Sequence, residues 1–173
     1  MGYAGGTTPN PDYGHIGDHT ETVQIDYDPK RISYRDLLAI FCKSHNPTSR
    51  TWLRQYRNAV FYDNDDQRRQ ALESKAALEQ KLGRKVHSEI VPLGSFTWAE
   101  AYHQKYLLKS KSELVREMKR IYPRERDFDN STAVARLNGY AGGNGSREQL
   151  RREIDQLGLS ERGQERLMQI VRP

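Results

Sequence analysis

A nine-residue stretch near the start of the chain concentrates side chains that could do acid–base or metal chemistry. It holds one phenol, two imidazoles and two carboxylates: Tyr13, His15, Asp18, His19 and Glu21. Histidine and carboxylate ligands can meet on a loop to hold a metal ion, but this spacing fits none of the common ligand patterns. Polar clusters on loops are often only solvated turns. From the pattern alone, both a chemical site and a turn without chemistry stay open.

Two further side chains carry reactive groups. Tyr56 begins a predicted strand in Gln55-Tyr56-Arg57, where a core tyrosine with a satisfied hydroxyl is the usual case. Cys42 is the single cysteine of the 173 residues, so the chain can form no internal disulfide and no dithiol relay. It lies inside a predicted helix, away from the helix N-terminus that could activate a thiol. We expect a half-buried side chain there.

The pentapeptide Gly-Tyr-Ala-Gly-Gly occurs twice, at residues 2–6 and 139–143. A phosphate-binding loop needs a preceding strand and a closing Lys-Ser or Lys-Thr, and neither copy has both. The flanking sequences do not match at a fixed period, which excludes an internal repeat. Both copies are therefore predicted to be turns in which glycine supplies backbone freedom and no ligand is bound. The first lies within a loop over 2–14 and the second between two helices.

Strand and helix patterns alternate in the first part of the chain, and only helix patterns follow residue 110. Three strands are predicted, over 21–27, 56–62 and 86–93. Capping residues predict helices that begin after Ser33, Asn64 and Thr97, the last continuing through Leu108. Four helices are predicted in the tail, near 114–121, 131–137, 146–154 and 160–170. The order favours an α+β chain, with either a parallel wound sheet or a two-layer ferredoxin-like sheet, plus a helical extension.

Composition restricts the broad class. No run approaches the apolar length of a membrane span, and no signal segment precedes the first strand pattern, so we expect a cytoplasmic protein with no membrane partner. The net charge of +5 is spread along the chain without a basic block. A mixed, solvated surface with no nucleic-acid partner is the simplest interpretation.

Five separated blocks, in order from Gly2 to about Leu107, together resemble one family. They are GYAGGTTPNPDY, GDHTETVQIDYDPKRISYRDLLAIF, HNPT, QYRNAVFY and AEAYHQKYL. These blocks resemble the peptide methionine sulfoxide reductases of the A type, and the residues after 110 are similar to a helical extension of some members. The resemblance implies a two-layer ferredoxin-like core at 1–109 and an extension at 110–173.

The resemblance also implies a reaction and its residues. Members reduce the S epimer of methionine sulfoxide in oxidised proteins, with thioredoxin as the reductant and without a cofactor or metal. Glu21 matches the acid carboxyl, Tyr13 and Tyr56 match the two phenols that bind the sulfoxide oxygen, and His19 matches the substrate-side histidine before the glutamate.

Several family features have no counterpart in these residues. The nucleophilic cysteine belongs to a Gly-Cys-Phe-Trp motif after a first strand, upstream of the block that begins at Gly2 here, so this chain holds no nucleophile. Cys42 cannot replace it, and Thr51 stands where members have an aspartate five residues before the second phenol. We expect a shortened reductase that lacks the first strand and helix, has a gap in its sheet and is inactive alone.

Two other functions stay open. A natural pseudoenzyme would bind methionine sulfoxide, or a partner protein, without reducing it. A basic scaffold protein of unrelated role would show weak, salt-sensitive binding to nucleic acid.

Overall fold

The computed structural model describes residues 1–171, and the chain divides into two compact units, Met1–Glu100 and the residues from Ala101 onward. The first unit mixes strands and helices. Its elements in chain order are β1 (Gly2–Ala4), β2 (Thr20–Thr22), α1 (Tyr34–Lys43), β3 (Ala59–Tyr62), α2 (Asp65–Leu82), β4 (Glu89–Pro92) and β5 (Phe96–Trp98). A short 3-10 turn over Arg54–Tyr56 precedes β3.

A three-stranded antiparallel sheet has β1 at its centre, between β2 and β5. Tyr3 faces Glu21 on one side and Thr97 on the other, and all three residues of β1 are buried. The predicted loop over 2–14 is therefore wrong at its start. The predicted helix after Thr97 is wrong at its start as well, because Thr97 lies in β5, and only its later part is α-helical, at Tyr106–Lys109. Both segments pair with strands far away in sequence, and that pairing outweighs their turn and capping signals.

A second, two-stranded sheet pairs β3 with β4 in parallel, Ala59 opposite Glu89. The two helices of this unit begin where their N-caps predict. Ser33 and Asp36 form a reciprocal capping box at α1. Asn64 caps α2, which ends at Gly83 with a φ of +59°.

The strands are shorter than predicted. The pattern over 21–27 forms a strand only at Thr20–Thr22, and the pattern over 86–93 only at Glu89–Pro92. The pattern over 56–62 starts late, because Tyr56 belongs to the 3-10 turn. Each strand persists only where another strand offers hydrogen-bond partners.

These elements confirm the mixed α+β class. The described residues form two small sheets, so a single ferredoxin-like sheet is not confirmed. Few apolar side chains of this unit are buried, among them Tyr3, Leu38 and Val86.

Within residues 101–171 the second unit is helical. After a 3-10 turn at Ala101–His103 its α-helices are α3 (Tyr106–Lys109), α4 (Ser112–Ile121), α5 (Glu125–Asn130), α6 (Thr132–Ala141), α7 (Arg147–Glu153) and α8 (Glu161–Ile170). Ser131, Ser146 and Ser160 are N-caps, as predicted. The sequence patterns missed α5, and α6 continues past its predicted end. The hydrophobic core of this helical unit includes Phe128 and Leu137, which are both fully buried. The boundary at residue 109 stays a prediction.

The part of the chain that the structure describes contains no helix with the length and apolarity needed to cross a membrane.

Candidate functional site

A tightly hydrogen-bonded loop connects β1 to β2. The carboxylate of Asp18 accepts the N–H groups of Thr7 at 2.8 Å and Thr8 at 2.9 Å, and both threonine hydroxyls donate to it as well. The bond from the Thr8 N–H contributes most to holding the pKa of Asp18 well below its usual range. Because Asp18 closes this loop on itself, the residues after it enter β2 in a fixed position.

His19 lies directly after Asp18 and is only 2% exposed. Its Nε2 is 2.8 Å from the carbonyl oxygen of Thr8, so that nitrogen carries the hydrogen and donates. The buried Nδ1 has no hydrogen-bond partner among residues 1–171. The sequence predicts substrate binding for His19, and the structure places its ring inside the loop.

Glu21 lies on β2 and is half-buried. The side-chain amide of Gln55 donates to its Oε1 at 2.6 Å. That bond comes from the 3-10 turn that also carries Tyr56, so β2 and the turn present the carboxyl and the phenol together. The structure therefore brings Glu21 and Tyr56 to one place.

Tyr56 and Tyr13 share a side-chain hydrogen bond, and both rings are about half exposed. This bond is the largest cause of a raised pKa at Tyr56, followed by the charge of Tyr13, burial and the charge of Glu21. A phenol is already protonated at neutral pH, and the raised pKa of Tyr56 extends its range as a hydrogen-bond donor further into alkaline pH. The structure thus brings Tyr13, Tyr56 and Glu21 together, and His19 lies two residues from Glu21 but faces inward.

The carboxylate of Glu100 holds Tyr13 in position through a backbone hydrogen bond. Its Oε1 accepts the backbone N–H of Tyr13 at 2.8 Å, and its Oε2 accepts the hydroxyl of Tyr3 at 2.7 Å. The sequence predicts no site role for Glu100, which stands in the block AEAYHQKYL and in the capping sequence of the helix predicted after Thr97. No local signal could reveal its role, because its partners lie about 90 residues away in the chain.

Two arginines beside Tyr56 attach its turn to the loop. Arg54 Nε donates to the carbonyl oxygen of Asp18 at 2.7 Å, and Arg57 Nε donates to the hydroxyl of Thr20 at 2.7 Å. Arg57 also pairs with Glu89 at 2.8 Å. Neither arginine was predicted to belong to the site, although Arg57 directly follows Tyr56 in the block QYRNAVFY.

Cys42 lies in the last turns of α1 and is partly buried. Burial raises the pKa of its thiol, which lowers the fraction of reactive thiolate at neutral pH. Residues 1–171 contain no group of three or more His, Cys, Asp or Glu side chains positioned to hold a metal ion.

Comparison with known proteins gives the family. The family model described as "Peptide methionine sulfoxide reductase" matches residues 1–137. The chain belongs to the peptide methionine sulfoxide reductase family. A second model, "Selenoprotein methionine sulfoxide reductase A, helical domain", matches residues 125–172.

Individual members of the family agree with this assignment. A peptide methionine sulfoxide reductase of Drosophila melanogaster is 36% identical over 162 residues, which cover 92% of this chain and 65% of the relative. Peptide methionine sulfoxide reductase A5 of Arabidopsis thaliana is 40% identical over 149 residues, covering 81% and 57%. The chain therefore spans less than two thirds of the length of these two relatives.

The crystal structure of Mxr1 from Saccharomyces cerevisiae in its reduced form is similar to this fold. It aligns with a TM-score of 0.60 and 30% identity, over 64% of this chain and 69% of that one. Its unusual oxidized form aligns with a TM-score of 0.51.

Proposed function

We propose that this chain carries the oxygen-binding half of a peptide-methionine (S)-S-oxide reductase, the site that accepts methionine sulfoxide from oxidised proteins. The observation that carries the proposal is the convergence of two phenols and a carboxyl, Tyr13, Tyr56 and Glu21, at one half-exposed place. A sulfoxide oxygen is a strong hydrogen-bond acceptor that becomes more basic as its bond to sulfur breaks. Donors fixed around it stabilise that developing charge.

The three side chains have separate tasks. When the sulfoxide enters, the hydrogen bond between Tyr13 and Tyr56 opens, so that both hydroxyls can donate to the sulfoxide oxygen. Gln55 occupies Oε1 of Glu21, which leaves Oε2 as the oxygen for proton transfer. Buried His19 orients the loop from within, through its bond to Thr8.

The complete reaction consumes one sulfoxide and two thiols and yields one thioether, one disulfide and one water. Family members take the electrons from thioredoxin, and we extend that reductant to the whole protein. Cys42 is the single cysteine of the chain, and burial raises the pKa of its thiol, which disfavours the thiolate, so we infer that another thiol attacks the sulfur. We therefore expect the chain as given to bind the sulfoxide without reducing it.

A pseudoenzyme that only binds methionine sulfoxide, or a partner protein, is the second candidate. It is favoured by the same three side chains, together with a single cysteine whose thiol is not activated. The two candidates differ in whether supply of a thiolate near the phenols restores turnover.

The experiment measures binding and turnover separately. The purified chain is titrated calorimetrically with a blocked peptide that contains the S epimer of methionine sulfoxide, and then incubated with it and dithiothreitol or thioredoxin. We expect binding of the S epimer, weaker binding of the R epimer and no methionine. Tyr56→Phe should weaken binding about tenfold, because one hydrogen bond to the oxygen is lost.

Tyr122→Phe, a tyrosine of the helical unit, is the matched control and should bind as the parent does. Equal binding by the Tyr56→Phe variant would contradict the site. If the chain alone forms methionine, the inference that it lacks an attacking thiol is wrong. If the Cys42→Ser variant then forms no methionine, Cys42 is the attacking thiol.

A further inference from the structure

Two apolar side chains stand in solvent directly before the turn that carries Tyr56. Trp52 is 92% exposed and Leu53 is 62% exposed, and the 3-10 turn Arg54–Tyr56 follows them. We call these two residues the exposed pair. Apolar side chains stabilise a fold through the area that they remove from water, so a tryptophan this exposed contributes almost nothing to the stability of its unit. Tryptophan is, however, among the residues most enriched at the energetic centre of binding interfaces.

The backbone that presents the exposed pair is held firmly against the candidate site. The hydroxyl of Thr20 on β2 donates to the carbonyl oxygen of Arg54 at 3.1 Å, and the Arg54 guanidinium donates to the carbonyl oxygen of Asp18 at 2.7 Å. Within the turn, the N–H of Tyr56 donates to the carbonyl oxygen of Leu53 at 3.0 Å. Because these bonds already fix the turn, a partner that binds the exposed pair has little backbone freedom to remove.

The spacing between the exposed pair and Tyr56 matches the spacing of side chains in an extended polypeptide. Leu53 precedes Tyr56 by three residues, and three residues of a 3-10 turn rise about 6 Å. Side chains of an extended chain return to the same side every second residue, at intervals of about 6.8 Å. If Tyr56 binds a methionine sulfoxide within a polypeptide, the side chain two residues away therefore comes to the exposed pair. The side chain one residue away points to the opposite side.

The charges beside the exposed pair disfavour a second copy of this chain as its partner. Arg50 donates to Nδ1 of His87 at 3.3 Å, and Arg54 donates to backbone carbonyl oxygens. Both acceptors are uncharged, so these guanidinium groups keep their positive charge at the surface. Self-association through this face would bring the arginines of two copies together. A neutral or acidic polypeptide segment meets no such repulsion.

We propose that Trp52 and Leu53 form a subsite for an apolar side chain two residues away from the methionine sulfoxide of a polypeptide substrate. This proposal rests on the proposed function, because it takes the position of the sulfoxide from Tyr13, Tyr56 and Glu21. It adds a preference for the sequence around the oxidised residue. Free methionine sulfoxide has no neighbouring side chain and makes no use of this subsite.

Three blocked pentapeptides with the S epimer of methionine sulfoxide, written Met(O), separate side-chain position from general hydrophobicity. The first is Phe-Gly-Met(O)-Gly-Phe and the second is Gly-Phe-Met(O)-Phe-Gly, so the two have identical composition. The third, Gly-Gly-Met(O)-Gly-Gly, measures binding of the sulfoxide without a neighbouring side chain. In calorimetric titrations of the purified chain, the first peptide should bind at least about fivefold more tightly than the second, because only its phenylalanines reach the aromatic subsite.

Three variants locate the preference. Trp52→Ala should bring the ratio of the two affinities down to about one, and its exposed ring makes a loss of folding unexpected. Ile40→Ala is the matched control, because it removes an apolar side chain that is 57% exposed on α1, and it should keep the ratio of the parent. Tyr56→Phe should weaken all three peptides by a similar factor and also keep the ratio.

Equal binding of the first two peptides, with binding of the third intact, would overturn the subsite and leave the proposed function standing. A fivefold preference that survives Trp52→Ala would overturn it as well. Self-association that Trp52→Ala abolishes, measured by sedimentation, would show that a second copy covers the exposed pair, which also overturns the proposal. Failure of all three peptides to bind would contradict the oxygen-binding site itself, and the subsite would fall with it.

Discussion

The same five residues form a strand in one unit and a helix end in the other. In the first copy, residues 2–4 form the central strand β1. In the second, residues 139–141 form the last turn of α6, and Gly142 caps it. The local preferences of the two copies are identical, so they cannot decide between the structures. Neighbours distant in sequence decide for the first copy, and the helix already in progress decides for the second.

The tyrosine has the same environment in both copies. Tyr3 and Tyr140 are both buried, and the hydroxyl of each donates to a glutamate, Glu100 for the first and Glu153 for the second. A buried phenol needs such a partner in either backbone conformation.

The paired glycines are needed for different reasons. A Cβ on Gly6 would lie 2.6 Å from Asp18 Oδ1, in the loop that enters the candidate site. Gly143 has open space around it but a φ of +80°, which L side chains rarely adopt. Close approach explains the first requirement and backbone direction the second.

The largest effect is expected for Gly2→Ala. The added Cβ would lie 2.3 Å from Phe96 Cζ and 2.4 Å from the carbonyl oxygen of Thr97, so β1 and β5 must separate. We expect a loss of about 2–3 kcal/mol in the free energy of unfolding, as for overpacked cores. Urea unfolding, with hydrogen exchange of residues 1–22 to locate the change, measures it. A loss below about 0.5 kcal/mol would show that the central strand tolerates separation.

Tyr140→Phe should change how stability depends on alkaline pH. Burial, and then the hydrogen bond to Glu153, raise the pKa of Tyr140 to about 12, above the value near 10 of an unfolded tyrosine. The unfolded chain therefore loses this proton first, and the stabilisation present below pH 10 declines between pH 10 and 12. The contribution to the slope is at most about 1.4 kcal/mol per pH unit.

The measurement is urea unfolding of the parent and the variant at pH 9, 10, 11 and 12. The difference in unfolding free energy between them should shrink as the pH rises. A constant difference would show that the Tyr140 hydroxyl titrates as it does in the unfolded chain.

Tyr3→Phe tests the equivalent position in the strand copy. Its hydroxyl donates to the Glu100 carboxylate that also receives the N–H of Tyr13. We expect a loss of about 1.5 kcal/mol, since the partner is charged. Faster hydrogen exchange at the Tyr13 amide should accompany it, because Glu100 is less firmly held. Unchanged exchange there would show that Glu100 positions Tyr13 without help from Tyr3.

These contrasts show which features a sequence can predict. The caps Ser33, Asn64 and Ser146 were predicted because each bonds within three residues of itself. The strands β1 and β5 were not, because each is three residues long and its partners lie far away in the chain. Short strands have too little pattern of their own to compete with turn and cap signals.

The candidate site divides in the same way. Tyr13, Glu21 and Tyr56 were predicted through the family resemblance, and the structure places them together, while their roles stay proposals. Gln55 and Glu100 were not predicted, since their hydrogen bonds connect residues 34 and 87 positions apart. Only the folded chain shows which side chains hold the donors in place.

Gly139→Ala gives the smallest effect, with the opposite sign to Gly2→Ala at the equivalent position of the other copy. Gly139 lies inside α6, and a Cβ there meets nothing within 4 Å. Alanine restricts the unfolded chain and favours the helix, so stability should rise by about 0.5–1 kcal/mol. Urea unfolding followed by circular dichroism at the helix band measures the gain. A loss of stability would mean that the second copy needs its first glycine as much as the strand copy does, and the contrast between open and crowded positions would fail.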